Sequence, residues 1–170
     1  MIIAVDTGNN SIKTPNFSFT SAIEKHSAKP PLATDMIEYD GHFWSLSGQR
    51  INYMMDKTRD ERFFVLTLMA VAKELSNLGN ISPITTIDLA VGLPPEHFTI
   101  LREKFANYFK REPIEFAYNG TAICLIINNV FVYPQAYAAV VPQADTLLDI
   151  PRIFIVDIGG CTTDAYRTML

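Results

Sequence analysis

The hydrophobic pattern changes period several times along this chain. It opens on an apolar run, Ile2 to Val5, closed by Asp6, which predicts a strand buried on both faces. "SIKT" predicts a short return strand. A third strand is expected within "FSFTSAI", ahead of a proline-rich loop. "MIEYDGHFWSLSG" reads as a hairpin turning at Asp40-Gly41, a dipeptide that tolerates the positive φ such turns demand.

From Arg59 to Leu78 the period becomes helical. Phe64, Leu68, Val71, Leu75 and Leu78 share one face, and Gly79 follows as a C-cap. "TTIDLAVGLP" predicts a buried strand stopped by Gly92 and two prolines. Pro95 suits the first turn of a second helix, "PEHFTILREKFANYFKR", with a basic end that complements the helix dipole. Two more strands, "PIEFAY" and "TAICLIINNVFVY", flank Asn119-Gly120. "PQAYAAVVPQA" predicts a short helical segment beginning at Pro134, and "PRIFIVDIGGCTTDAYRTML" a strand, a glycine turn and a return strand.

Composition narrows the class. A chain of 170 residues that is 48% hydrophobic and 19% charged can build a real core. A net charge of -4 argues against direct contact with nucleic acid or an anionic membrane. The longest apolar stretch is interrupted by Asn128-Asn129 and is too short to span a bilayer, so a cytoplasmic protein without a membrane partner is expected. Two cysteines, Cys124 and Cys161, make neither a disulfide framework nor a zinc pattern. His26, His42 and His97 are scattered without ligand spacing and read as surface or structural residues.

One phrase occurs twice. "IIAVDTGNNSIK" near the start and "IFIVDIGGCTTD" near residue 157 each run an apolar strand into Asp-x-Gly and a small turn. Such a strand delivers a carboxylate to a sheet end, and the turn aims backbone N–H groups outward. That geometry makes an anion-binding nest, and glycine admits a phosphate closely. The carboxylates, Asp6 and Asp157, suit a hydrated Mg2+, and Lys13 suits phosphate oxygens. Singly, Asp-x-Gly is an ordinary turn; the duplication and Lys13 change that balance. An aspartic protease also uses paired Asp-Thr-Gly loops. It requires a nearly all-β chain and a hydroxyl residue after the glycine, whereas Asn9 and two long helices stand here.

"VDTGNNSIK" resembles the first phosphate motif of the actin superfamily, and "VDIGGCTTD" resembles the second. Between them "FSFTSAI", "YDGHFWSLSG", "RDERFFVLTLMAVAKEL", "VGLPPEHFTILREKF" and "VYPQAYAAV" follow the order of ParM-like bacterial actins of plasmids and phages. The resemblance implies an α/β fold, the actin-like ATPase (ribonuclease-H-like) domain, with a mixed five-stranded sheet and helices on both faces. Its first three strands would be antiparallel. It further implies ATP (or GTP) with Mg2+ held through Asp6 and Asp157. Gly8, Asn9, Asn10, Ser11, Lys13, Gly159, Gly160 and Thr162 would contact phosphates. Gln135 and Asp157 would orient and polarise the attacking water.

Residues 1–150 would form the first domain and 151–170 the opening hairpin of a second. Either the natural chain continues past Leu170 or that hairpin docks elsewhere, because a lone hairpin is marginally stable. By the same resemblance the protein would self-associate into filaments whose assembly is coupled to ATP hydrolysis, segregating plasmid or phage DNA through an adaptor protein. Two other readings fit the fold: a non-polymerising kinase or chaperone-like switch, and a half-actin interaction module without its own activity.

Overall fold

A computed structural model describes residues 1–79, 82–111, 113–135, 152–159 and 163–168. Six strands come first: β1 (Ile2–Thr7), β2 (Ser11–Lys13), β3 (Ser18–Thr20), β4 (Ile23–His26), β5 (Met36–Tyr39) and β6 (His42–Leu46). A single 3-10 turn (Lys57–Arg59) leads into α1 (Glu61–Asn77). Then follow β7 (Ile84–Leu93), α2 (Pro95–Phe109), β8 (Ile114–Tyr118) and β9 (Thr121–Pro134), and finally the pair β10 (Ile153–Ile158) and β11 (Thr163–Thr168).

The principal sheet has nine strands in the order β3-β2-β1-β7-β9-β8-β5-β6-β4. Its first five are the expected mixed unit: β1, β2 and β3 pair antiparallel, and β7 and β9 add parallel. The expected five strands become nine because β8 folds back on β9 and the β5–β6 hairpin joins it. β4 then closes the edge on β6. The segment read as one strand plus a loop thus gives two strands, divided at Ser21-Ala22, where Ile51 N–H donates to the Ser21 carbonyl at 2.9 Å and draws the chain aside. Both tight hairpins have positive φ at their two central residues, 51° and 69° at Asp40-Gly41 and 49° and 87° at Asn119-Gly120. This matches the right-handed twist of the flanking strands.

Local chemistry explains the helices. Asp60 caps α1 by accepting from Arg62 N–H at 2.9 Å, and Gly79 ends it at φ 66°. Four of the five stripe residues are buried; Leu78 is the C-cap and is exposed. α2 begins with Pro95 as expected but stops at Phe109, so Lys110 and Arg111 lie beyond it. Arg111 turns instead onto α1, its guanidinium carbon 3.9 Å from the centre of the Phe64 ring and its Nη1 3.0 Å from Glu61 Oε1.

Phe64, Phe105, Tyr108 and Phe109 join the two helices through ring contacts of 4.9 to 6.3 Å between centroids. Both helices therefore cover one face of the sheet, over Ile3, Val5, Ile87, Leu89, Val91, Leu125 and Ile127. On the opposite face Ile2 and Ile84 are 65% and 66% exposed. The expected two-sided burial of β1 thus appears as alternation among the described residues. Beyond Gln135 the helical segment expected from Pro134 lies outside them, and Pro134 itself ends β9. No helix of the described residues is long and apolar enough to cross a membrane.

Candidate functional site

The parallel strands β1, β7 and β9 end side by side, and outside their carboxyl ends lies a cavity of about 630 Å³. This is where open α/β sheets offer ligand sites. Asp6, Gly8, Asn9, Asn10, Ser11 and Lys13 form its wall on the first hairpin. Gly92 and Pro94 follow from the end of β7, and Pro134 and Gln135 from the end of β9. Asp157, Ile158 and Gly159 at the end of β10 line the same cavity. The structure thus brings nine of the eleven sequence-predicted site residues to one cavity. Gly160 and Thr162 lie outside the described residues.

Pairing register explains the first hairpin. Asp6 is directly opposite Lys13, so the seven-residue spacing is a cross-strand pair of opposite charges. Gly8 is needed by packing: a Cβ there would lie 2.6 Å from the Ser11 carbonyl oxygen. The turn is fastened from outside, Ser21 Oγ donating to the Gly8 carbonyl at 2.6 Å and Ser21 N–H to the Asn10 carbonyl at 3.1 Å. The Asn10 side-chain oxygen accepts from the Arg50 guanidinium.

Asp6 carries the chemistry of this wall. Burial raises its pKa above the ordinary value; Lys13, Lys57 and a hydrogen bond from Gln135 pull it back, and the Asp157 charge adds to the rise. Gln135 Nε2 donates to Asp6 Oδ1 at 2.7 Å, while Gln135 N–H donates to the Leu93 carbonyl at 2.7 Å. Gly92 makes room for this amide, since a Cβ on it would come within 2.8 Å of Gln135 Cγ.

Sequence reasoning missed Lys57. Its ammonium donates to the Thr7 carbonyl, its side chain is 3% exposed, and it forms part of the cavity wall. Burial lowers its pKa to about 8, against the opposing pull of Asp6. The only trace in the sequence is "DKTRD", a lysine between two aspartates that each cap a helical turn. Nothing in that string says where the ammonium points.

No cluster of three metal-ligating side chains occurs among the described residues. Two carboxylates, two ammonium groups and a tight turn instead line one cavity, a set chemically compatible with a polyanion and a largely hydrated cation.

The sequence matches the family described as the N-terminal domain of actin like proteins over residues 4–137, and the chain belongs to that family. Among curated proteins no sequence matches. Solved structures agree in fold. An AlfA filament bound to AMPPNP is 18% identical, with a TM-score of 0.67, 99% of this chain and 65% of that chain being covered. A 15-stranded ParM filament from Clostridium botulinum is 20% identical, with a TM-score of 0.72 and coverage of 98% and 58%. Ta0583, an archaeal actin homolog in complex with ADP, is 15% identical, with a TM-score of 0.77 and coverage of 100% and 56%. The chain thus spans less than two thirds of each of these three relatives.

Proposed function

We propose that this chain is the nucleotide-binding first half of a filament-forming actin-like protein, in which ATP binding favours assembly and hydrolysis releases it. The observation that carries the reading is the cavity that Asp6, hydrogen-bonded by Gln135 and balanced by Lys13 and Lys57, lines together with Asp157. Similarity to filaments of AlfA and ParM, the former bound to AMPPNP, supports it. DNA segregation through an adaptor is the task we infer, and the net charge of -4 suits an indirect link to DNA.

In this reading the turn from Gly8 to Ser11 and the one at Gly159 clasp the phosphates. Asp6 and Asp157 would hold Mg2+ through water, and the ion would neutralise charge on the phosphate oxygens. Gln135, fixed by its bonds to Asp6 and Leu93, would orient a water. Most of the acceleration in phosphoryl transfer comes from such positioning and charge stabilisation.

Light scattering of the full natural chain tests this. Mg-ATP should raise scattering steeply above a critical concentration, and Asp6→Ala should abolish the rise. Nucleotide binding without any concentration-dependent scattering would favour a non-polymerising switch. No binding at all would sink the reading.

A further inference from the structure

The resemblance that marks Lys13 leaves Lys57 without a role. Lys57 lies on the single turn between two capping aspartates, and Asp56 is itself held by Lys104 of α2 at 2.6 Å. Its stem crosses the Phe63 ring, the ammonium lying 5.3 Å from the ring centre. The base of the side chain is therefore fixed from both ends of the turn. One N–H bonds the Thr7 carbonyl, and the other two have no hydrogen-bond partner among the described residues. Burying an ammonium with its donors unspent is costly. A neutral donor would strap the turn to β1 equally well, so the charge serves something the fold alone does not need.

The cavity supplies that purpose. Lys57 is part of its wall, and Asp6, the carboxylate that balances it among the described residues, also answers to Lys13 across the hairpin. Lys13 is exposed on its strand, whereas Lys57 is locked in place, so the two differ in preorganisation.

We propose that Lys57 is a second phosphate-binding cation of this cleft, its two unpartnered N–H groups taking anionic oxygens of the bound phosphate chain beside Gly8. The inference deepens the nucleotide reading above and rests on it for the identity of the ligand, but its own claim concerns the phosphate chain. Charge-assisted bonds of this kind are worth roughly 10–100-fold in affinity.

The test is calorimetric titration of the full natural chain with Mg-tripolyphosphate and with Mg-ATP, on the wild type and on Lys57→Met. Thermal melts of both proteins accompany it. Lys57→Met keeps the length of the stem and removes the charge, and it should weaken both ligands by roughly 10–100-fold. In the wild type the 15Nζ resonance of Lys57 should shift when tripolyphosphate is added, a readout that does not require the variant to fold.

Binding by folded Lys57→Met within about twofold of wild type, or an unmoved Lys57 resonance at saturation, would overturn the proposal and leave Lys57 a strap. Lys57-dependent tripolyphosphate binding without any nucleotide binding would uphold it while removing the nucleotide reading. A wild type that binds neither ligand would remove both.

Discussion

In the first hairpin Asp6 stands opposite Lys13 inside a nine-stranded sheet; in the second Asp157 stands opposite Asp164 in a sheet of two strands. The phrase is the same and the register is the same, yet the surroundings differ. Asp6 is desolvated, bonded by Gln135 and balanced by two lysines. The strand that carries Asp157 leaves Phe154 69% and Ile158 79% exposed. A strand–Asp–x–Gly motif fixes where a carboxylate is delivered. What that carboxylate does depends on the residues packed around it, and those come from far along the chain.

The largest expected contrast is in stability. Phe64 lies among Tyr39, Tyr108 and Phe109, so Phe64→Ala should cost about 3–5 kcal/mol in urea denaturation. Phe154→Ala should stay within about 0.5 kcal/mol. An equal loss at both positions would show that β10 belongs to the same cooperative unit as α1.

Next comes the turn itself. Gly8→Ala drives a Cβ against the Ser11 backbone, which cannot swing away, and should cost roughly 100-fold in nucleotide affinity. Gly92→Ala meets only the Gln135 side chain. It should cost roughly tenfold in hydrolysis with binding retained. The reverse order would contradict the roles given to these two glycines.

A smaller effect separates the two aspartates. Because Asp6 has a raised pKa, the folded state holds its proton to higher pH than the unfolded state does. Stability therefore falls as pH rises from the ordinary carboxylate value through the folded one. Asp6→Asn removes that loss and should melt roughly 2 °C higher at pH 7 in metal-free buffer, although nucleotide binding fails. Asp157→Asn should leave the melting temperature unchanged.

The smallest effect has the opposite sign. Burial would raise the Glu74 pKa, but hydrogen bonds from Thr14 and Asn16 outweigh it and hold the carboxyl below its usual value. Its contribution is present above the ordinary carboxylate range and is lost as pH falls. Glu74→Gln should flatten the decline of melting temperature between about pH 5 and 3.

Much of the fold could be read from period and punctuation. The α1 stripe, the Asp40-Gly41 and Asn119-Gly120 turns and Pro95 at the head of α2 are local signals, and each lies where its residues direct. The sheet's width was not legible, because β8 joining β5 is a pairing between residues about eighty positions apart, and no local pattern encodes it. The end of α2 misled for a similar reason: Lys110 and Arg111 suit a helix terminus, but Arg111 makes its contacts with α1. At the site, the Asp6–Lys13 pair follows from hairpin register alone. Lys57 does not, since its ammonium reaches a carbonyl fifty residues earlier in the chain.

The bond between Gln135 and Asp6 spans 129 residues, and this sets an order in time. A chain leaves the ribosome amino end first, at about 5–20 residues per second, so Asp6 precedes its amide by roughly ten seconds. Over most of that interval β1 also lacks β7, its parallel neighbour in the finished sheet. The first hairpin is thus made early and equipped late. A growing chain carries the turn after Asp6 without the Gln135 amide, and only one that has reached β9 and Gln135 holds that carboxylate in its finished hydrogen bond.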